Sequence, residues 1–158
     1  MNAEGIMLAV GAVIQDVAGN VLLVRHKPER EGYWKGKWIC PGGKLHAGET
    51  LAEGALREIR EETHLDVKLG RMLPPFETIV REQQECLLHV VYVDFLATPT
   101  AGELLADDDI GEAEWWSPEE VEKRWEELHF DTRRLLLLAG LLQPDSPDHP
   151  VSSTSAGD

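Results

Sequence analysis

The sequence predicts one domain of mixed α/β (α+β) class, and three observations lead there. The chain has 158 residues, enough for one domain with a real core. Extended segments rich in β-branched residues are interleaved with amphipathic helical ones rather than segregated from them. One segment, Cys86 to Ala97, is nearly all apolar, as a central strand covered on both faces requires.

Taken in order, Ile6 to Gln15 and Val21 to Arg25 are apolar and β-prone, and Asp16-Val17-Ala18-Gly19-Asn20 between them has turn composition; together they read as a β-hairpin. His26 to Lys37 is polar, holds Pro28, Gly32 and Gly36, and reads as a loop. Trp38 to Cys40 is a short strand that Pro41-Gly42-Gly43 breaks. Thr50 to Thr63 is the clearest helix. Thr50 and Glu53 form a T-x-x-E capping box, and Ala52, Ala55, Leu56 and Ile59 repeat at helical spacing as one buried stripe. Val67 to Leu73 is a strand closed by Pro74-Pro75, and Phe76 to Val80 is extended. Gly102 to Gly111 is an acidic loop before a short strand, Glu114 to Trp116. Ser117 caps a helix with Pro118 in its first turn, running to about Glu127. A last helix starts near Asp131 and carries Leu135 to Leu142. Trp38, Trp115, Trp116 and Trp125 suit core packing. From Pro144 the chain is rich in Pro, Ser and Asp, so residues 1–143 read as the domain and 144–158 as a flexible tail.

The formal net charge is −14, from 29 acidic and 15 basic residues. Such a surface repels a phosphate backbone, which argues against a long nucleic-acid partner. A small phosphorylated substrate stays compatible if metal ions neutralise it locally. No apolar run reaches the length of a membrane span and no signal peptide is visible, so no membrane partner and a cytoplasmic location are expected. Cys40 and Cys86 lack metal-ligand spacing and read as reduced, buried thiols. The six histidines form no H-x-x-x-H pattern, and a histidine metal site is not expected.

The chemistry concentrates between Gly43 and Leu65. At 100° per residue, Glu58, Glu61 and Glu62 share one helix face, well away from the Ala52/Ala55/Leu56/Ile59 stripe. Like charges at these spacings destabilise a helix by about 0.2–0.5 kcal/mol per pair. Negative charge near the helix C-terminus adds to that cost. Arg57 and Arg60 offset part of it, and a hard divalent cation would offset more; oxygen-only ligands favour Mg²⁺, Mn²⁺ or Ca²⁺ over zinc. Pro41-Gly42-Gly43 and Gly48 permit a tight turn that aims main-chain groups at phosphate or metal. The competing reading is a solvated acidic face, against which stand the spacing and the adjacent glycines.

This stretch resembles the Nudix box, G-x5-E-x7-R-E-U-x-E-E-x-G-U with U aliphatic. Gly43, Glu49, Arg57, Glu58, Ile59, Glu61, Glu62 and Leu65 match in register, and His64 stands where the family has glycine. With the flanking Trp38, Pro41-Gly42-Gly43 and Glu112-to-Glu120 stretches, the resemblance spans Ile6 to Leu142. A residue just past the helix takes a left-handed conformation, which histidine tolerates better than most, so a modest stability cost is expected there.

The resemblance implies an α/β/α sandwich around a mixed sheet. It implies hydrolysis, dependent on Mg²⁺ with Mn²⁺ able to substitute, of a diphosphate linkage in a nucleoside diphosphate derivative. The preferred reaction takes a (deoxy)nucleoside triphosphate to the monophosphate and pyrophosphate; ADP-ribose to AMP and ribose 5-phosphate comes next. Glu58, Glu61 and Glu62 then look like metal ligands, joined by a backbone carbonyl at Gly43. Arg57 would orient a ligand carboxylate, and Glu49 would brace Arg57. The general base would come from the box or from the later acidic loop, where Asp109 and Glu112 are preferred. Tyr33 and Trp34 would stack on the base, while Arg25, Lys37 and the Gly42-Gly43 backbone would meet phosphate. Members of the family are often homodimers. Two rivals keep the fold: a catalytically silent nucleotide sensor, and an isopentenyl diphosphate isomerase-like enzyme, which would need a reactive cysteine.

Overall fold

In a computed structural model, which describes residues 5–141, the strands are β1 (Met7–Ile14), β2 (Val21–His26), β3 (Gly42–Lys44), β4 (Asp66–Met72), β5 (Phe76–Glu82), β6 (Glu85–Ala101) and β7 (Ile110–Trp116). The helices are α1 (Leu51–Thr63), α2 (Pro118–Lys123) and α3 (Phe130–Leu138). The expected tail, 144–158, lies outside the described residues. The expected mixed sheet is present. Its spine is β6, which contains the apolar Cys86–Ala97 run. β1 lies parallel along one edge of β6, from Met7↔Val90 to Ile14↔Ala97. The other edge is shared in succession by β5 and β4, both antiparallel. β3 closes the far side of β1.

The expected hairpin does not form as a paired ladder. Its turn is real: Asp16 Oδ1 accepts the N–H groups of Ala18 and Asn20, at 3.0 and 2.9 Å. Beyond it, a single bridge, Gln15↔Val21, joins the two strands. Both edges of β1 are already occupied, by β6 and β3, so β2 is displaced into a second sheet where it pairs antiparallel with β7.

The expected break falls at Cys40 and Pro41, and Gly42 and Gly43 themselves open β3. Gly11 and Gly42 face each other across β1 and β3. A Cβ on Gly11 would stand 2.2 Å from the Pro41 carbonyl oxygen, and one on Gly42 would stand 2.6 Å from that of Val10. The close approach therefore requires glycine on both sides. Trp38 and Ile39 make only isolated bridges, to Leu128 and Val24.

α1 starts as its sequence dictates, with both halves of the Thr50/Glu53 capping box made. It ends at His64, which adopts φ 62° and donates its N–H to the Arg60 carbonyl. Its buried face differs from the expected stripe. Ala55 and Ile59 are fully buried, but Leu56 is 40% exposed, and Glu58 and Glu62 take the inward positions instead. Reading polarity as exposure fails here because the carboxylates face β3 and a cavity, not bulk solvent. The Ser117 helix is shorter than expected: α2 ends at Lys123 and a 3₁₀ turn follows (Trp125–Glu127). α3 is capped by the His129 ring, whose Nδ1 accepts the Asp131 N–H at 3.1 Å.

Side chains alternate across the sheet. Val10, Ala12, Ile14, Val93 and Phe95 pack against Ala55 and Ile59 of α1. On the opposite face Val13 and Phe76 pack with Trp38, Trp116, Val121 of α2, and Leu135 and Leu136 of α3. The main cavity opens on this second face. Among the described residues, no helix is long and apolar enough to cross a membrane.

Candidate active site

The cavity has a volume of about 340 Å³ and two chemically distinct ends. Glu58 and Glu62 of α1 stand at one end, beside Gly42 and Gly43 of β3. Glu62 is 2% exposed, and its Oε1 accepts the Gly42 N–H at 2.8 Å. Burial pushes its carboxyl well above the usual carboxylate range, and Glu58 and Asp108 push it the same way. Glu58 is also raised by burial, against the opposing hydrogen bond from Arg57. Gly43 makes room for that side chain, since a Cβ there would lie 2.5 Å from Glu58 Oε2.

Arg57 organises this end without entering the cavity. Its Nε and Nη2 fork onto Glu49 at 2.6 and 2.9 Å, Nη1 reaches Glu58 Oε1 at 2.9 Å, and Nη2 also bonds the Lys44 carbonyl at 3.0 Å. The Arg57 guanidinium holds Glu49 down to about 2. Glu61 is exposed, meets Arg57 Nη1 at 3.2 Å, and does not line the cavity.

His26 joins this end from the last position of β2. His26, Glu62 and Asp109 offer ligand atoms that all lie within 4.8 Å of one another. Burial, reinforced by Arg30, lowers His26 to about 4, so its imidazole is neutral and a competent ligand near neutral pH. Asp109 pairs with Arg30 through Oδ2, while its Oδ1 is buried and has no partner.

The inner end is aromatic. Phe76 and Tyr92 stack with centroids 4.8 Å apart, and Trp34 Nε1 donates to the Tyr92 hydroxyl at 3.0 Å. That hydroxyl donates to Asp131 Oδ2 at 2.5 Å, and Thr78 Oγ1 donates to Asp131 Oδ1 at 2.9 Å. Burial, with Asp131 adding to it, moves the Tyr92 phenol far above its ordinary range. Asp94 of β6 lies on the same face and is 7% exposed; burial raises it to about 7.

Several expected substrate contacts are elsewhere. Arg25 and Glu112 stand opposite each other in the β2–β7 register and form an ion pair, with the Arg25 guanidinium 4.9 Å from the Trp38 ring centroid. Neither is among the residues that line the cavity. Lys37 Nζ is committed to the Glu126 carbonyl at 2.8 Å. Tyr33 packs edge-on against His129 and Trp34 and does not line the cavity either. Gly42, Gly43, Trp34, Glu58, Glu62 and Asp109 are brought together. His26, Arg30, Tyr92, Asp94 and Asp131 also line the cavity and were not anticipated. Only the alternation of Tyr92 and Asp94 along one strand face signalled any of them.

A family model described as NUDIX domain matches residues 5–137. The chain is 32% identical over 129 residues to the ADP-ribose pyrophosphatase of Methanocaldococcus jannaschii, covering 82% of this chain and 70% of that protein. It is 29% identical over 122 residues to the nucleoside triphosphatase NudI of Salmonella newport (strain SL254), covering 72% of this chain and 84% of that one. It spans 33%, 61% and 37% of three longer relatives. The crystal structure of the MutT protein from Methanosarcina mazei Go1 superposes with a TM-score of 0.69 at 25% identity, covering 89% of this chain and 96% of that one.

Proposed function

This chain belongs to the Nudix hydrolase family, and from that premise we propose that it hydrolyses the phosphoanhydride of a nucleoside diphosphate derivative with Mg²⁺, which Mn²⁺ can replace. One observation carries the reading: a single cavity joins a buried carboxylate pair, Glu58 and Glu62, to an aromatic end built from Trp34, Phe76 and Tyr92. Phosphates need a cation to lie among carboxylates, and a nucleobase needs ring faces. A volume of about 340 Å³ is near the small end of ligand pockets and suits one nucleoside with its phosphates. We therefore place (deoxy)nucleoside triphosphates first, giving the monophosphate and pyrophosphate, and ADP-ribose second. The two relatives above, an ADP-ribose pyrophosphatase and a nucleoside triphosphatase, support these two classes.

The residues fit a divalent cation. Glu62 is fully buried, the donors are mostly carboxylate oxygens, and His26 beside them is neutral. Glu58 and Glu62 would hold the ion with the Gly43 backbone, and Glu61 would approach from the solvent side. A divalent cation held there would supply charge neutralisation for the diphosphate and a water of lowered pKa. Arg57 is a positioning residue, fixing Glu58 through a fork that Glu49 braces. Arg30 replaces Arg25 and Lys37 as the cation that meets phosphate. Asp109 is the base, since its free Oδ1 is buried beside Glu62, and a positioned base contributes about 10²–10⁴-fold. A reducing, cytoplasmic setting is proposed with this function, in keeping with two free cysteines.

The rival readings are weaker. A silent sensor has no use for the complete carboxylate set. An isomerase-like enzyme needs a thiolate, and burial raises the Cys40 thiol well above its usual range. The test is a panel of ribo- and deoxynucleoside triphosphates and ADP-ribose, each with Mg²⁺, Mn²⁺ or EDTA. Metal-dependent release of a nucleoside monophosphate is expected. Nucleotide binding without turnover across the panel would establish the sensor instead.

A further inference from the structure

We propose that Asp94 is a specificity-determining residue, whose carboxyl accepts a hydrogen bond from a ring N–H or amino group on the edge of the substrate's nucleobase. The proposal rests on the reading that the cavity takes a nucleotide. Asp94 sits in the middle of the main sheet, where an acidic side chain contributes nothing to strand pairing. Its backbone is fully engaged: Gly11 is its partner on β1, and on the other side its carbonyl accepts the Leu73 N–H at 2.8 Å. The side chain projects to the cavity face and is 7% exposed, and Oδ2 has no hydrogen-bond partner. Gly11 leaves space for the other oxygen, because a Cβ there would stand 3.0 Å from Oδ1. A buried carboxyl with an unsatisfied oxygen destabilises a fold unless something uses it.

Asp131, the carboxyl at the aromatic end, has less acceptor capacity to spare. Both oxygens of Asp131 already accept hydrogen bonds, from Thr78 and Tyr92. Thr132 Oγ1 is engaged by the Cys40 N–H at 3.3 Å. Asp94 thus lines the cavity between the Gly11, Pro41 and Gly42 corner and Tyr92, which stands two residues away on the same strand face, and among the described residues its Oδ2 is left without a partner. Trp34, Phe76 and Tyr92 offer ring surface to any base alike, which leaves discrimination to a group that reads the edge. A site built to bond a substrate N–H rejects an analogue lacking it more strongly than ring contacts can, since the protein group is otherwise stranded.

The experiment compares the wild type with Asp94→Asn and Asp94→Ala on matched nucleotides that differ by one donor. The pairs are GTP against inosine triphosphate and N1-methylguanosine triphosphate, and ATP against purine riboside triphosphate. Expected is a wild-type preference in kcat/KM of about 10-fold or more for the donor-bearing member of at least one pair. Asp94→Ala should shrink that preference to within about 3-fold and leave Mn²⁺ affinity, measured by electron paramagnetic resonance, unchanged within about 2-fold. Asp94→Asn, which keeps the side chain's size but trades the charge and one acceptor oxygen for a donor, should narrow the preference at least about threefold and covers the case in which the alanine variant does not fold. A preference that survives in both variants, or a parallel loss on every nucleotide, overturns the proposal. Calorimetric binding of the same pairs separates it from the hydrolase reading. Binding that discriminates through Asp94 without turnover would sink only the hydrolase, whereas no nucleotide binding at all would sink both.

Discussion

Glu62→Gln separates charge from shape at the carboxylate end. In the wild type Oε1 accepts the Gly42 N–H at 2.8 Å from a side chain that is 2% exposed. Glutamine presents the same acceptor at the same reach, so the bond survives in neutral form with a loss of about 1 kcal/mol. Removal of the buried charge acts in the opposite direction. The native carboxyl is raised well above 4.5, chiefly by burial, so the folded state keeps its proton to higher pH than the unfolded state does. The stability this confers is fully present below about pH 4.5 and is lost as pH rises through the native value. A tenfold displacement of that proton equilibrium is worth about 1.4 kcal/mol, more than the weakened bond. At pH 8 in EDTA the variant should therefore be at least as stable as the wild type, with its relative advantage shrinking toward pH 4.

Mg²⁺ should reverse that order. An ion present at ten times its dissociation constant stabilises the folded state by about 1.4 kcal/mol, and only the wild type should gain it. The same substitution should lower kcat by at least about 10²-fold, because it removes a group acting mainly in the transition state. Urea unfolding at pH 8, with EDTA and with Mg²⁺, and steady-state kinetics make the measurement. A variant that loses more than about 2 kcal/mol in EDTA would show that Glu62 is chiefly a structural anchor. Wild-type activity and equal Mg²⁺ stabilisation would remove it from the metal site.

Arg57→Lys keeps the charge but not the fork, and should lower stability by about 1–3 kcal/mol and kcat by about tenfold, read from the urea midpoint and initial rates. Asp109→Asn should reduce kcat by about 10²-fold, whereas Glu112→Gln, paired with Arg25 outside the cavity, should stay within about twofold of wild type under identical assay. For Asp94 the native value of about 7 lies above the ordinary 3.8, so wild-type stability should fall as pH rises between them, by up to about 4 kcal/mol; the Asp94→Asn unfolding profile should lack that fall. His64→Gly relieves φ 62° but loses the contact with Asp107 at 2.7 Å, and should change stability by less than about 1 kcal/mol with kcat unaltered.

What could be read ahead of the structure was local. The capping box and the end of α1 depend on residues within a turn or two, where helical spacing leaves little choice, whereas the Arg57–Glu49 fork followed from the resemblance to the Nudix box. The long apolar run could only be a central strand. Interactions between distant segments were another matter. The hairpin reading failed because β1 had no free edge, which follows from β6 and β3 and not from the turn at Asp16 to Asn20. The partners of Arg25, Lys37 and Glu112 were not legible in the chain, because the partner of an exposed charge is set by strand register and loop path.

The amino-acid order alone determined the class of chemistry: carboxylates repeated at helical spacing, beside glycines that let backbone approach, suit a hard cation and a phosphorylated ligand. Only the tertiary structure decided which carboxylates face the cavity, that His26 and Arg30 join them, and that Asp94 Oδ2 is left unpaired in its lining. The physical reason is one of range. Side-chain spacing within a helix is set by its backbone geometry, whereas a cavity is the space left over when several elements pack, and its lining follows from all of them at once.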